Sequence, residues 1–167
     1  MHKMLKMATI CSAVVLAACA GPLFRQAPLV GDPVAAVTAK MGQPTGVYPA
    51  PDGQVLEYAT GPMGQYTYMA RIGADGRLVS YEQVLKGETF ARIKIDQATK
   101  EDVLRTIGRP AERSRVALRN YEVWSYRYKE AGVWNSLMHV HFDQNGVVRQ
   151  MLNGPDPLFE PRERNSF

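Results

Sequence analysis

The chain has 167 residues, 46% of them hydrophobic and 22% charged, a composition that excludes a disordered segment and fits an ordinary globular fold. Lys3 and Lys6 belong to a leader; without them the 20 basic residues fall to 18 against 16 acidic ones, so the mature chain is near +2. That balance, with no basic stripe interleaved with aromatics, excludes the electrostatic footprint of a nucleic-acid-binding protein.

The leader comes first. Lys3 and Lys6 precede an apolar run from Ala8 to Ala18 that is too short for a comfortable transmembrane span. The run closes in Leu16-Ala17-Ala18-Cys19, which resembles the bacterial lipobox. In that class of signal, residues 1–18 are removed and Cys19 carries the acyl chains, palmitate among them. The alternative is an ordinary secretory signal cut nearby. Cys11 leaves with the leader, so the mature chain keeps Cys19 alone and forms no internal disulfide, although the envelope is oxidising. Several acyl chains together anchor stably, since each buried methylene contributes about 0.8 kcal/mol. Ala20 rather than aspartate follows the cysteine. By resemblance to the sorting rule of enteric bacteria, this places the protein in the outer membrane with its domain facing the periplasm.

Residues 19–31 read as a tether, with Gly21, Pro22 and Pro28 and no periodicity. Asp32 then predicts an N-cap, Pro33 a first helical position, and Val34, Val37 and Met41 an apolar stripe. Gly42 and Pro44 stop that helix. Strand-like runs follow from VLEY (Val55 to Tyr58), turning at Gly61-Pro62-Met63-Gly64 and at Asp75-Gly76. This first unit covers 32–84. Residues 85–98 form a connector in which GETFARIKI (Gly87 to Ile95) predicts a short helix with Phe90 and Ile93 on one side.

The second unit covers 99–152. Thr99 predicts a helix cap, and Asp102 makes the stretch a close variant of the capping box. Val103, Leu104 and Ile107 share one helix face, and Gly108 and Pro110 end it. Arg105, Arg109, Arg113, Arg115 and Arg119 follow within fifteen residues, a cluster suited to anionic lipid, to an acidic partner, or to plain solvation. Three strand-like runs complete the unit, the last two joined at Asn145-Gly146, a strong hairpin signal. Residues 153–167, with Pro155, Pro157 and Pro161, read as a loose tail.

The same grammar occurs twice. The helix stops at Gly42 and Gly108 lie 66 residues apart, VLEY and VWSY (Val123 to Tyr126) 68, and RIGADGRL (Arg71 to Leu78) and HFDQNGVV (His141 to Val148) 70. Such a drift is what small loop insertions in an internal duplication produce. The expected fold class is therefore α+β: two tandem units, each a helix plus a three-stranded antiparallel meander, with the helices packed on one face.

Alternation separates two faces. Trp124, Tyr126, Met138, Val140, Phe142 and Val148 share one face, matched in the first unit by Leu56, Tyr58, Tyr68, Ala70, Ile72 and Leu78. The opposite face holds Val123, Arg127, Leu137, His139, His141, Val147 and Arg149. The first unit adds Val55, Glu57, Met69, Arg71, Arg77 and Val79 to it. Its mixed composition suits a partner surface, with Met69 and Leu137 as apolar anchors and Arg71, Arg127, Arg149, His139 and His141 as polar contacts. Cover by the tether or tail is the alternative.

The duplicated unit, with a helix ending in Gly-x-Pro, a VWSY strand and an FDQNGVV hairpin, resembles the SmpA/OmlA (BamE-like) family of envelope lipoproteins. The match is best over Ala98 to Met151, and the lipobox agrees with it. The tandem arrangement resembles that of β-lactamase inhibitor proteins. The resemblance implies a non-enzymatic lipoprotein held at the membrane by its N-terminal lipid. It would serve as a protein-binding scaffold in envelope or β-barrel assembly, or bind or inhibit a periplasmic protein.

No catalytic motif competes with this reading: the sequence has no G-x-S-x-G, P-loop, CxxC or H-E-x-x-H. His139-x-His141-x-Asp143 places three potential metal ligands on one strand face. Neighbours two apart on a strand are roughly 6.5–7 Å apart, too far for one ion without a bend. Asp143 also fits the start of its turn, and the first unit has Met69, Arg71 and Gly73 in the matching places. The expectation is therefore no metal and no other cofactor.

Overall fold

The computed structural model describes residues 26–160; Cys19, the leader, most of the tether and the end of the tail lie outside them. The first half runs α1 (Val34–Met41), β1 (Gly46–Ala50), β2 (Gly53–Ala59), β3 (Thr67–Gly73) and β4 (Leu78–Gln83). A one-turn helix, α2 (Gly87–Phe90), leads to α3 (Lys100–Ile107), β5 (Glu112–Val116), β6 (Tyr121–Glu130), β7 (Trp134–Phe142) and β8 (Val148–Pro155). The strands form two separate antiparallel sheets, ordered β1-β2-β3-β4 and β5-β6-β7-β8.

This corrects the expected fold class. The protein is mostly β, with two four-stranded sheets and a few short helices, and not α+β units built on three-stranded meanders. The strands that the sequence hides are β1 and β5, one at an edge of each sheet. Proline is tolerated on an edge, and Pro49 in β1 breaks the alternation that would otherwise mark a strand. In β5, ERSRV, all five side chains are exposed, so no buried face leaves a period-2 signature.

The helices are short for the same reason that they were legible. Thr99 and Asp102 form the capping box, Thr99 N–H donating to Asp102 Oδ2 at 2.9 Å, and Gly108 closes α3 with a bond to Leu104 O at 3.0 Å. At α1 the expected cap does not form. Pro33 precedes the helix, and Asp32 instead accepts bonds from Leu29 N–H and Lys40 Nζ, the latter at 2.6 Å.

The hairpin after β3 and the hairpin after β7 are the same device. Gly73 N–H reaches Arg77 O and Asp143 N–H reaches Val147 O, while Gly76 and Gly146 both take left-handed φ angles, 74° and 75°. Each hairpin follows a strand whose register shifts at matching places, between Arg71 and Ile72 and between His141 and Phe142.

One core packs Val37 of α1 with Leu56, Tyr58, Ala70, Ile72 and Leu78. A larger one joins Val103 and Ile107 to Trp124, Tyr126, Val140, Phe142 and Val148. The connector adds Leu85, Phe90 and Ile93 to it, with Phe90 edge-on to Tyr128 at 4.9 Å. A third cluster, Val55, Met69 and Val84, occupies the other side of the first sheet, which is therefore buried on both faces. The expected tail is also shortened: β8 continues to Pro155, and Asp156 beyond it is buried.

Burial pushes Tyr81 and Tyr128 up to about 12 and raises Tyr126 further above its ordinary value. The unfolded chain releases these protons near pH 10 while the folded chain keeps them, so stability is full below pH 10 and falls as pH rises toward 12. Urea melts repeated across that window should show the midpoint dropping steeply above pH 10. A flat profile would contradict the tyrosine burial.

Candidate functional site

Two regions concentrate unusual chemistry: the junction between the halves and one end of the molecule. At the junction Glu57, in the middle of β2, is 0% exposed. A buried carboxylate needs partners, and here they come from both halves. Tyr48 Oη donates to Glu57 Oε2 at 2.5 Å, Arg109 N–H donates to Oε1 at 3.1 Å, and the Arg109 guanidinium lies 3.6 Å from Oε2. Burial first, and then the bond to Glu57, raise Tyr48 well above the usual phenol range.

Gly108 makes this approach possible. Its φ is 81°, and a Cβ there would sit 2.9 Å from Glu57 Oε1 and 3.0 Å from Met69 Cε. Its carbonyl in turn accepts a bond from the buried Tyr126 Oη at 3.0 Å. The glycine that ends α3 thus seats the second half on the first sheet. Beside it opens a cleft of about 210 Å³, walled by Glu57, Leu85, Arg109, Pro110, Tyr126 and Arg127.

The residues expected to form one partner surface are dispersed. Met69 is 0% and Leu137 6% exposed, so neither is available as an anchor. Met69 is covered at the junction, because the face it lies on is the one the second half packs against. Arg127 is mostly buried and lies 3.1 Å from the buried Asp156 Oδ2. Arg149 clasps Asp96 and Asp143, at 2.8 Å each. Arg71 sits on β3, in the other sheet from Arg127, Leu137, His139, His141 and Arg149.

The histidines are committed locally. His139 Nδ1 is 2.8 Å from Ser125 Oγ, its cross-strand neighbour. His141 stands edge-on to Tyr121 at 6.5 Å, and desolvation, then the charge of His139, lower its pKa. Asp143 accepts the N–H groups of Asn145 and Val147 within its own turn. Among the described residues no group of three His, Cys, Asp or Glu is placed to hold a metal ion.

The second region was not assigned from sequence. Gln65 Nε2 donates to Asn135 Oδ1 at 2.8 Å, Asp156 N–H bonds to Asn135 O, and Phe159 N–H bonds back to Asp156 O. These ties bring the β2–β3 loop, the β6–β7 hairpin and the stretch after β8 to one end. That end exposes Met63, Tyr66, Val133, Trp134, Leu158 and Phe159, with Trp134 68% exposed. Single exposed apolar residues are ordinary, but six of this size on three linked loops and the first residue of β7 concentrate apolar surface at one end, as interaction sites do. The signal available in the sequence was Trp134 itself, a large aromatic directly after a Gly-containing turn.

No family model matches the sequence, and no curated protein does. Among solved structures the chain is similar to a DUF4309 family protein (YjgB) from Bacillus subtilis, at 16% identity over 71% of this chain and 74% of that one, with a TM-score of 0.29. A superposition of that quality says nothing about fold or function. Among the described residues no helix is long and apolar enough to cross a membrane.

Proposed function

We propose that the protein is a non-enzymatic lipoprotein of the outer membrane, anchored through Cys19 and facing the periplasm, that binds another protein. The observation that carries the protein-binding part is the apolar end formed by Met63, Tyr66, Val133, Trp134, Leu158 and Phe159. Aromatic and methionine side chains in that density are what interface cores are made of. The Leu16-Ala17-Ala18-Cys19 motif supports the anchor, and the resemblance to SmpA/OmlA lipoproteins supports a scaffolding role in envelope assembly.

The tether enters near Gly31, whose N–H bonds to Leu78 O beside the β3–β4 turn. The apolar end lies at the other end of β3, a seven-residue strand of roughly 23 Å at 3.3 Å per residue. A chain anchored through its tether therefore holds this end away from its point of attachment, where a periplasmic partner can reach it. An inhibitor-like use of the mixed sheet face is not retained, because its apolar anchors Met69 and Leu137 are buried.

The test is capture from solubilised membranes. Trp134→Ser combined with Met63→Ser should lower recovery of the partner at least about tenfold, in line with removal of aromatic interface anchors, while the melting temperature stays nearly unchanged. Wild type and variant are first matched for palmitate label, which Cys19→Ser should abolish. Equal recovery by wild type and variant would sink the assignment of the apolar end.

A further inference from the structure

We infer that β5 is a docking edge for an extended acidic segment of another protein, which adds to the second sheet as a fifth strand. The inference goes beyond the proposed function. It concerns the first half of β6, where β5 pairs with Tyr121 to Ser125, a stretch separated from the β6–β7 hairpin by the five residues from Tyr126 to Glu130, roughly 17 Å, and it stands whether or not the apolar end binds anything.

The first observation is the free edge itself. Among the described residues, β5 is the outermost strand of its sheet and pairs only with β6, and all five of its residues are exposed. The matching edge in the first half is closed: β1 carries Pro49, which has no N–H to donate, and α3 packs against that strand. β5 contains no proline and nothing among the described residues covers it. An edge strand with unpaired backbone groups is a template for strand addition.

The second observation is how the arginines are distributed. Arg105, Arg109, Arg127 and Arg149 each lie within 4 Å of a carboxylate. Among the described residues, Arg71, Arg77, Arg113, Arg115 and Arg119 have no such ion pair, and the last three gather on β5 and the turn after it, with Glu122 across the strand pair from Arg115 as a nearby acidic group. They are nevertheless positioned. The Arg113 guanidinium stacks over Trp124 at 4.6 Å, and Arg115 Nη1 donates to Asn120 Oδ1 at 3.1 Å. Residues two apart on a strand project to the same side, so Arg113 and Arg115 form a pair at strand spacing.

Charged residues on an edge commonly serve to repel other strands. On the side of β5 opposite to Glu112, the two arginines repel basic strands and would have to be desolvated against apolar ones, but they attract a strand that carries acidic side chains at alternate positions. The edge is therefore selective, and each guanidinium can take a carboxylate in a two-pronged hydrogen bond. At the end of the strand Leu118 is 95% exposed and Val116 is also exposed, which supplies an apolar foothold beside the charges. The occupant that fits is an extended segment with acidic residues at alternate positions and an apolar residue at one end.

The experiment titrates the protein with a labelled, capped peptide of alternating glutamate and valine, read by fluorescence anisotropy. Saturable binding is expected, weakened at least about tenfold by Arg113→Glu with Arg115→Glu, since charge reversal at a docking edge converts attraction to repulsion. Arg113 touches the core tryptophan, so a second measurement uses the wild-type protein. Two probes carry N-methyl groups on alternate backbone nitrogens, in one register or the other. One of the two should bind at least about tenfold more weakly, because one set of N–H groups faces the sheet edge. Equal binding of both methylated probes and the parent would overturn strand addition. Binding to vesicles of anionic phospholipid with no binding of the parent peptide would instead assign the arginines to a membrane surface, and would also overturn the proposal.

Discussion

Replacing Trp124 by alanine should destabilise the protein by about 3–5 kcal/mol, the range for a large aromatic removed from a packed core. Trp124 is 2% exposed and its ring lies 4.7 Å from that of Phe142. Its loss would open a cavity between β6 and α3, where Val103, Ile107 and Val140 belong to the same cluster. The indole also organises charges: Nε1 donates to Glu122 Oε1 at 2.6 Å, and Glu122 holds Lys100 at 2.5 Å. The Lys100 bond, followed by the indole bond, keeps Glu122 below the usual carboxylate range. Trp124→Phe should cost less, because it keeps most of the volume and loses the hydrogen bond. Equilibrium urea melts measure both. A cost below about 1 kcal/mol for the alanine variant would mean that the β6 face is not the core it is described to be.

Replacing Glu57 by alanine should cost about 3 kcal/mol, at the low end for breaking a buried charge pair because Arg109 itself is well exposed. The damage falls on the partners left behind. Tyr48 Oη and the Arg109 N–H, both part-buried, lose their acceptor, and a stranded group costs at most the roughly 1–3 kcal/mol of a fully buried one. Glu57→Gln keeps one carbonyl oxygen, an acceptor for either Tyr48 Oη or the Arg109 N–H but not for both on their separate oxygens, and should be milder than alanine. A cycle with Tyr48→Phe isolates the pair: the double variant should be more stable than the sum of the singles implies, by at least about 0.5 kcal/mol, as expected for groups in one network. Strict additivity would show that the carboxylate does not hold the phenol.

The two variants probe different layers of what was legible. Trp124 was readable because its neighbours in sequence alternate in polarity and a sheet side is a period-two property of the chain. Glu57 was placed on the correct side of its strand by the same rule, yet its role was not legible. Alternation says which residues share a face; it does not say what lies on that face. Met69 and Leu137 show the same limit. Both were expected as anchors on an open surface, and both are buried.

The edge strands mark a second limit. β1 and β5 are held by backbone hydrogen bonds to β2 and β6; β5 buries no side chain, and β1 offers only Tyr48 and Ala50 to the cluster around Met69, too short and weak a pattern to read. Sequence patterns report buried side chains, so a strand that buries little is silent. The apolar end was hidden for a related reason: its six side chains come from three stretches that are distant along the chain and become neighbours only through bonds such as Gln65 to Asn135.

What the sequence determined by itself is therefore local. The capping box at Thr99, the left-handed glycines at Gly76, Gly108 and Gly146, and the inward residues of β2, β3, β6 and β7 follow from backbone sterics, capping chemistry and side-chain alternation within a few residues. Only the tertiary structure decided the fourth strand of each sheet, the burial of Glu57 and Met69 under Gly108 and Arg109, and the exposed setting of the β5 arginines, which lack an ion pair among the described residues. These depend on which surfaces meet across about fifty residues of chain, from Glu57 to Arg109, and the free energy of that meeting is shared between both surfaces. No short stretch of either one records it.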